Sequence, residues 1–566
     1  MGKYSIGLDS GTNSCRAVIV DISNGKELAN HVFNYPSGDA GIITDPADPN
    51  LARQNPDDYL KGIEVTIKGV LKKARTAANG FSSDDVIGIG VDTTGSSPLP
   101  VDNEGTPLSF KDEFKNEPAA MVWLWKDHTS FEEAKFITDK AADLRPEYLA
   151  KIGGVYSSEW FWSKILHCRK EKPQVFDAAY SFVEICDWIP AVLTGNTKPD
   201  DIKRSVCAAG HKAMYNEKWG GLPDDEFLTA LSPDLVDLRK RLDFKAYPAE
   251  EKAGYLTSEW ADKLGLSTDT AVAVGAFDAH IGAVGAGIKV GTLVKILGTS
   301  TCDVMIHPAD EKLADIPGVC GIVDGSVMSG YYGIEAGQSA VGDIFLWFVN
   351  QLVPEKYGKT IDEKFENLEK EAIKLKPGET GLLALDWNNG NRTILVDVRL
   401  TGLLLGQTLH TQPHEIYRAL VEATAFGALA IIDRIEENGV QINEVINCGG
   451  LAVKSKLLMQ IYADVTNRPM KISRSEQTPA LGAAIFAAVA SGKEAGGYDD
   501  IGKARDTMTG VGKVYTPIPE NHAVYKKLYK LYKQLHDGFG TENNTGSMFN
   551  VMKGLLDIRD NVRREN

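Results

Sequence analysis

The feature that most constrains the fold of this chain is a nine-residue pattern that occurs twice. Residues 11–19 and 298–306 both read Gly-Thr-x-(Ser/Thr)-Cys-x-(Ala/Val)-x-Ile, about half a chain length apart. An apolar run precedes each copy and an alternating apolar run follows it, which is typical of a β-hairpin with a glycine turn. The repeat therefore predicts two halves with one equivalent hairpin each, and a chance match is the alternative.

The rest of the chain alternates strand and helix patterns. Residues 86–91 and 271–277 are short β runs that end at Asp92 and Asp278, and residues 413–438 have the apolar spacing of a long helix. Such alternation predicts an α/β fold with a mainly parallel sheet. Because ligands bind at the carboxyl ends of the strands in these sheets, the two aspartates are candidate site residues.

The length indicates more than one domain. The chain has 566 residues, of which 43% are hydrophobic and 24% charged, and this composition predicts a globular protein of two large domains or three to four small ones. Since no Gly/Ser-rich or Pro-rich linker divides it, we expect a close hinge near residue 280. The tail after Gly540 is polar and then weakly helical.

The net charge and the cysteine content of the chain indicate which partners and which cellular compartment to expect. The net charge of −16 repels phosphate backbones, so neither nucleic acid nor an anionic membrane is expected as a partner. The seven cysteines lie too far apart for a CxxC metal site or a disulfide framework, and no apolar leader or membrane-spanning stretch is present in the sequence. We therefore expect a reduced, cytoplasmic protein, with a homodimer as the base-rate expectation.

Four glycine-containing turns are candidate phosphate sites: residues 9–13, 297–300 and 447–450, and the stretch after Asp278. Glycine lets backbone amides approach an anion, and hydroxyl groups add donors without bulk. A single turn of this kind is usually only a tight hairpin, but the repeated pair and the strand-end aspartates favour a polyphosphate site. The sequence contains no Walker A motif and no protein-kinase HRD or DFG motif.

Four segments resemble, in order, the signatures of the FGGY carbohydrate kinases, which belong to the sugar kinase, actin and Hsp70 superfamily. They are residues 7–12 (GLDSGT), 275–280 (GAFDAH), 297–300 (LGTS) and 448–450 (CGG). The resemblance covers nearly the whole chain and implies two actin-like (ribonuclease H-like) α/β domains around a catalytic cleft. It further implies that residues 1–283 form a mainly sugar-binding domain and residues 284–566 a mainly ATP-binding domain.

Other segments resemble the members of that family that act on L-ribulose. They are residues 93–98 (TTGSSP), 123–128 (WLWKDH), 208–212 (AAGHK) and 333–339 (GIEAGQS). The resemblance implies ATP-dependent phosphorylation of L-ribulose at its terminal hydroxyl, giving L-ribulose 5-phosphate in arabinose catabolism. A kinase for another ketopentose or polyol, such as ribitol, xylulose or glycerol, is the nearest alternative. A non-enzymatic nucleotide switch is the alternative from another class.

The resemblance also implies roles for individual residues on the nucleotide side. Asp278 would be the general base that takes the proton of the attacking hydroxyl, although the bare sequence equally fits a helix N-cap. Asp9 would lie near Mg2+ and hold it through water. The implied contacts of ATP are Ser10, Thr12, Asn13, Gly298, Thr299, Gly449 and Gly450.

On the sugar side, the resemblance implies contacts from Ser96, Lys212 and Glu335, together with Asp278. Trp125 would form a stacking wall for the sugar, and its alternative is one member of a half-buried aromatic pair. Lys212 and Glu335 taken alone would be solvated surface residues. His128 and His211 are expected to be structural.

Overall fold

The computed structural model describes residues 2–242 and 245–549. Residues 550–566 of the predicted weakly helical tail lie outside this range. Every helix within it is too short or too polar to cross a membrane.

Groups of strands and groups of helices follow one another along the described chain. In chain order the strands are β1 (Tyr4–Ser10), β2 (Ser14–Asp21), β3 (Lys26–Asn34), β4 (Ile43–Asp45), β5 (Asp48–Gln54), β6 (Val86–Thr93), β7 (Pro98–Val101), β8 (Val122–Trp123), β9 (Ser181–Glu184), β10 (Arg204–Ser205), β11 (Ala246–Tyr247), β12 (Lys252–Tyr255), β13 (Ala271–Ala273), β14 (Ala276–Phe277), β15 (Thr292–Leu297), β16 (Thr301–Pro308), β17 (Gly321–Asp324), β18 (Tyr331–Ala336), β19 (Leu383–Leu385), β20 (Leu403–Leu405), β21 (Glu444–Cys448), β22 (Met470–Ser473) and β23 (Val511–Tyr515).

The helices range from one turn to seven turns in length. In chain order they are α1 (Pro56–Ala77), α2 (Phe131–Leu144), α3 (Pro146–Ala150), α4 (Phe161–Glu171), α5 (Pro173–Ala178), α6 (Ile185–Thr194), α7 (Val206–Lys212), α8 (Asp225–Leu231), α9 (Asp234–Arg241), α10 (Ser258–Leu264), α11 (Asp278–Ala286), α12 (Gly342–Leu352), α13 (Ile361–Ala372), α14 (Pro413–Glu437), α15 (Gly450–Lys454), α16 (Lys456–Thr466), α17 (Thr478–Ser491), α18 (Ile501–Met508) and α19 (Pro519–Gly540).

Two large sheets repeat one topology. The first has the strand order β3-β2-β1-β6-β13-β12, and the second has the order β18-β16-β15-β21-β22-β23 with β17 added outside β18. In both sheets the successive pairings are antiparallel, antiparallel, parallel, parallel and antiparallel. The two hairpins predicted from the repeat are β1–β2 and β15–β16, which occupy equivalent places, so the predicted duplication is confirmed.

The predicted elements around these hairpins are also present, with one difference. The run at residues 86–91 is β6, and the long helix at residues 413–438 is α14. The run predicted at residues 271–277 is two strands, β13 and β14, both paired with β6. The strand is interrupted at Gly275. There the chain passes so close to the backbone of Cys186 that a Cβ would lie 2.0 Å from the Cys186 carbonyl oxygen.

Helices α11 and α17 lie between the two sheets and pack against each other. Helix α17, from the second half, packs on β1 and β6 of the first sheet, whereas α11 contacts β15 and β16 of the second. One apolar cluster consequently contains buried residues of both halves, including Val18, Val294 and Ala484. The domain division predicted at residue 283 falls inside α11 and stays a prediction.

The two helices approach closely because glycines lie at their contact. A Cβ at Gly482 of α17 would lie 2.0 Å from the carbonyl oxygen of Ile281, and one at Gly285 of α11 would lie 2.0 Å from that of Thr478. No rotamer change relieves a clash with backbone. Asp278 opens α11, so this contact also determines where its carboxylate lies.

We expect Gly482→Ala to lower the free energy of unfolding by about 1 to 3 kcal/mol, the usual cost of overpacking. Denaturant unfolding measures the effect. Gly538→Ala in α19 is the matched control, since the nearest atom to its Cβ position is the Met548 Cε at 3.5 Å. Alanine is the better helix former, so the control should be unchanged or slightly more stable. Equal stability of the two variants would contradict the packing argument.

Candidate active site

A cavity of about 270 Å3 opens where the carboxyl ends of the central strands of both sheets meet. It is the position that an α/β sheet offers a ligand. Both halves of the chain contribute its lining, which consists of Thr12, Thr94, Gly95, Trp125, Glu159, Lys212, Phe277, Asp278, Ala279, His280, Ile296, Gly298, Thr299, Ser300, Cys302, Glu335, Arg392 and Pro479. Seven of the residues predicted from sequence are among them: Thr12, Trp125, Lys212, Asp278, Gly298, Thr299 and Glu335.

Three aspartates converge at the carboxyl edge of the first sheet. Asp9 lies opposite Asp92 in the parallel pairing of β1 with β6, and β14 pairs with β6 at the same point, directly before Asp278. The Arg16 guanidinium lies 3.7 Å from an Asp9 carboxylate oxygen. The buried carboxyl group of Asp92 is hydrogen-bonded to Asp9, and neither of its oxygens accepts a hydrogen bond from another described residue.

Burial raises the pKa of all three carboxyl groups, and the charges of neighbouring aspartates raise it further at Asp92 and Asp278. Burial raises the pKa of Asp9, against the attraction of Arg16. Burial and then the charges of Asp9 and Asp278 raise the pKa of Asp92 well above its usual range. Burial, followed by the charge of Asp9, raises the pKa of Asp278 to about 7. A divalent cation at this edge would relieve the repulsion.

Asp278 is the first residue of α11 and faces the cavity. The backbone N–H of Ala279 donates to its Oδ1 at 2.7 Å, which fixes the carboxylate at the helix N-terminus. The side chain stays partly exposed, so the second oxygen is accessible to a ligand. The N-cap of α11 is Phe277, so Asp278 is the first helical residue and the alternative reading as an N-cap is wrong. Its carboxylate is placed where it could accept a proton from a ligand in the cavity.

The first hairpin turn presents Thr12 to the cavity. The Trp125 indole N–H donates to Thr12 Oγ1 at 3.0 Å, so the tryptophan packs beside the turn. The neighbouring predicted residues point elsewhere. Ser10 is buried with its Oγ 3.8 Å from the Cys15 sulfur, and the Asn13 amide donates to the Ala40 carbonyl at 2.8 Å. Their contacts with phosphate stay predictions.

The second hairpin turn and the glycine pair after β21 lie side by side, because β15 and β21 are parallel neighbours paired at Ile296 and Cys448. Gly449 has a φ of +91°, and a Cβ there would lie 2.3 Å from the Leu297 carbonyl oxygen. Gly450 is exposed and has open space over it. The turn thus leaves room for a flat group against backbone, and adenosine binding there stays a prediction.

Lys212 and Glu335 form a buried ion pair across the cavity wall. The ammonium lies 3.1 and 3.2 Å from the two carboxylate oxygens, and it also lies 5.1 Å from the centre of the Trp160 ring. Burial opposes the charge of both groups, but their attraction outweighs it. The Lys212 ammonium therefore holds the pKa of Glu335 well below its usual range, and the Glu335 carboxylate raises the pKa of Lys212.

This ion pair joins the two halves of the chain. Lys212 ends α7, whereas Glu335 lies in β18 of the second sheet. The sequence prediction of a sugar-binding first half therefore needs Glu335 from the other half. A charged pair with fixed geometry supplies both donors and an acceptor for hydroxyl groups.

Ser96 lies beneath the cavity surface rather than on it. Its side chain is fully buried and its hydroxyl donates to Glu184, while its carbonyl accepts from the Lys164 ammonium at 2.8 Å. Thr94 and Gly95 form the cavity wall at this place. The predicted Ser96 contact with sugar stays a prediction.

Several cavity residues were not singled out from the sequence. Glu159 and Arg392 face each other at 3.9 Å, and His280 lies beside Glu335. His280 belongs to the GAFDAH segment, and its position two residues after Asp278 could have identified it as a site residue from the sequence. Glu159 and Arg392 stand in irregular segments without a pattern. His211, expected to be structural, contacts Glu335 at 3.4 Å.

Comparison with known proteins identifies the same architecture. The family model described as "FGGY family of carbohydrate kinases, N-terminal domain" matches residues 4–285, and its C-terminal counterpart matches residues 293–491. A ribulokinase of Geobacillus thermodenitrificans is 46% identical, covering 99% of this chain and 98% of that protein. A ribulokinase of Mycolicibacterium smegmatis is 39% identical, with coverage of 99% and 98%.

Solved structures at lower identity have the same fold. A xylulose kinase from Rhodospirillum rubrum superposes with a TM-score of 0.77 at 21% identity, covering 95% of this chain and 99% of that one. Plasmodium falciparum glycerol kinase with ADP superposes with a TM-score of 0.75 at 16% identity, with coverage of 96% and 99%. The predicted two-domain actin-like α/β fold is confirmed.

We expect Lys212→Met to destabilise the protein by about 3 kcal/mol, because it leaves the Glu335 carboxylate buried without its ammonium. Replacing both residues, Lys212→Met with Glu335→Gln, should recover most of the loss. Melting temperatures of the two variants test this. Lys68→Met, which breaks an exposed pair with Glu64, is the control and should have little effect. A double variant no more stable than Lys212→Met would contradict the account.

Proposed function

Because the chain belongs to the FGGY family of carbohydrate kinases, we propose that it transfers the γ-phosphoryl group of ATP to the terminal hydroxyl of L-ribulose. The product is L-ribulose 5-phosphate, and the step belongs to arabinose catabolism. Relatives named ribulokinase at 39% to 46% identity over nearly the full chain support ribulose over xylulose, ribitol or glycerol. The cytoplasmic location and the homodimer stay predictions.

The observation that carries the proposal is that groups suited to phosphate, to proton transfer and to sugar line the same cavity. The phosphate-binding candidates Thr12, Gly298 and Thr299, the carboxylate of Asp278, and the Lys212–Glu335 pair all line it. A sugar held by the ion pair would reach Asp278 with one hydroxyl and meet a nucleotide on the two hairpin turns. A polyol requires several fixed partners because each hydroxyl left unpaired costs about 1 to 3 kcal/mol.

Asp278 acts as the general base. Its carboxylate accepts the proton of the sugar hydroxyl as the bond from that oxygen to the γ-phosphorus forms, while the bond from phosphorus to the bridging oxygen of ADP breaks. A base is most effective when its pKa lies near the working pH, and burial brings the pKa of Asp278 to about 7. The Ala279 N–H holds the carboxylate in place.

The carboxyl edge of the first sheet fits Mg2+. Apart from the hydrogen bond with Asp9, which lies opposite it, Asp92 has two buried oxygens that receive no hydrogen bond within the described part of the chain. Oxygen ligands of this kind suit Mg2+, which keeps most of its waters, so Asp9 would hold it through water. When bound with ATP, Mg2+ neutralises charge on the phosphates.

Closure of the two halves on the sugar keeps water from the phosphate. The Lys212–Glu335 pair already joins the halves at the sugar end, so an occupied sugar site and a closed cleft stabilise each other. The alternative from another class is a non-enzymatic nucleotide switch. Such a protein has no need for a pair of sugar-binding residues beside Asp278.

We expect ADP release from MgATP to be slow without sugar and to rise strongly with L-ribulose, because closure excludes water until the sugar is bound. A coupled assay of ADP with L-ribulose, D-xylulose, ribitol, glycerol and no sugar measures this. Equal rates with and without every sugar would contradict the closure argument. Preferential stimulation by another sugar would contradict the choice of L-ribulose.

Asp278→Asn should lower turnover by at least about a hundredfold, since it removes the proton acceptor and keeps the shape of the side chain. Titration calorimetry should still detect L-ribulose binding to this variant. Asp324→Asn, at the exposed end of β17, is the matched control and should keep normal turnover. Near-normal turnover of Asp278→Asn would remove this residue from the role of base.

A further inference from the structure

Two histidines and a glutamate form a compact buried cluster at the sugar end of the cavity. His211 comes from α7, His280 from α11 and Glu335 from β18, and one potential ligand atom of each lies within 4.8 Å of the others. His211 Nδ1 lies 3.4 Å and His280 Nε2 lies 3.5 Å from the same Glu335 oxygen, Oε2.

These separations suit atoms that share a metal ion. Bonds of about 2.1 Å from Zn2+ to nitrogen and oxygen, in tetrahedral directions, place neighbouring ligand atoms about 3.4 Å apart. Direct hydrogen bonds between imidazole and carboxylate are shorter, about 2.7 to 2.9 Å when charged. The two contacts to Glu335 Oε2 are therefore longer than charged hydrogen bonds and match the distance between neighbouring ligand atoms of one metal ion.

The hydrogen bonds of His211 direct a lone pair at Glu335. Ser326 Oγ donates its hydrogen to the Val323 carbonyl at 3.2 Å, so it accepts from His211 Nε2 at 3.0 Å. The Nε2–H tautomer leaves Nδ1 as an acceptor that faces Glu335 Oε2. Two acceptors face each other there, which a cation between them would stabilise. A partner on the far nitrogen is also what orients most metal-binding histidines.

His280 is equally available as a ligand. Both of its ring nitrogens are buried and receive no hydrogen bond from the described residues. Burial lowers the pKa of His280 to about 4 and lowers the pKa of His211 well below its usual range, so both rings are neutral near pH 7. Neutral imidazole is the form that binds metals.

The backbone opposite keeps the space for this arrangement. A Cβ at Gly321 of β17 would lie 2.2 Å from His211 Nδ1. Any side chain at residue 321 would push the ring away from Glu335.

We propose that His211 Nδ1, His280 Nε2 and Glu335 Oε2 form a binding site for a divalent transition metal ion of the Zn2+ type, and that a metal bound there blocks the sugar end of the cavity. Two nitrogens and one carboxylate are a donor set of Zn2+ and not of Mg2+, which takes oxygen ligands. The site is thus separate in chemistry from the aspartate edge that fits Mg2+. It would make sugar phosphorylation sensitive to Zn2+ at saturating Mg2+.

Lys212 weakens this site without removing it. Its ammonium lies 3.1 Å from Glu335 Oε1, so the metal would use Oε2 against a neighbouring positive charge. Removal of that charge should strengthen metal binding, whereas it weakens any sugar contact. A metal site elsewhere on the surface would not respond to the loss of Lys212 in this way, so the gain in metal affinity identifies the proposed site.

Titration calorimetry with ZnCl2 on the full chain, without nucleotide or sugar, tests the proposal. We expect one site that His280→Gln weakens at least about tenfold, as loss of a ligand does, and that Lys212→Met strengthens. Co2+ should give the visible absorption of a four- or five-coordinate ion, lost in the His280→Gln protein. His167→Gln is the matched control, because it also removes a histidine that contacts a glutamate, Glu133, but lies outside the cluster. This variant should bind Zn2+ normally.

Binding that is unchanged in both His280→Gln and Lys212→Met would overturn the proposal, as would the absence of Zn2+ binding. Melting temperatures in EDTA verify that each variant is folded, and a gain in Zn2+ affinity in Lys212→Met cannot result from misfolding.

The blocking of sugar rests on the proposed function, so it is tested separately with L-ribulose as competitor. Histidine-dependent Zn2+ binding that L-ribulose does not displace would keep the metal site and count against the sugar placement.

Discussion

The crossing of α11 and α17 between the two sheets is the constraint on which the rest of the structure depends. Each helix comes from one half of the chain and packs on the sheet of the other, so neither sheet has a complete core alone. The glycines at the crossing, Gly285 and Gly482, bring the helices within backbone contact. Because Asp278 opens α11, the same packing that joins the halves also places a carboxylate at their common edge. The packing of α11 against α17 therefore determines both the stability of the fold and the position of the candidate active site.

Electrostatics decide how an acidic protein of net charge −16 can bind an anionic nucleotide. The glycine turns carry no lysine, and Lys212, which lines the cavity, is paired with Glu335. Nearby, Asp9, Asp92 and Asp278 repel one another. Binding of ATP must then depend on Mg2+, backbone amides and hydroxyl groups more than on basic side chains. The carboxyl edge of the first sheet gathers three aspartates, whereas His211 and His280 lie beside Glu335.

Sequence patterns predicted the parts of the fold that local rules determine. The repeated hairpins, β6 and α14 follow from apolar periodicity and turn residues, and the strand-end aspartates follow from the parallel sheet. Long-range geometry was not predictable in this way. The exchange of α11 and α17 between the halves leaves no local pattern, and neither does the pairing of Lys212 with Glu335 across more than a hundred residues. The side chains of Ser10 and Asn13 turn away from the cavity because Cys15 and Ala40 offer them nearer partners. The neighbours of His211 in space, Gly321 of β17 and Glu335 of β18, are likewise not revealed by the sequence around it.

The central claim is that Asp278 takes the proton of the terminal hydroxyl of a ribulose held by the Lys212–Glu335 pair, as that hydroxyl attacks the γ-phosphate of ATP. The most direct test is phosphorus NMR of the products formed from MgATP and L-ribulose labelled with 13C at carbon 5. The account predicts a phosphomonoester resonance split by that carbon, and its near absence with Asp278→Asn. An unsplit phosphomonoester, or inorganic phosphate alone, would contradict it.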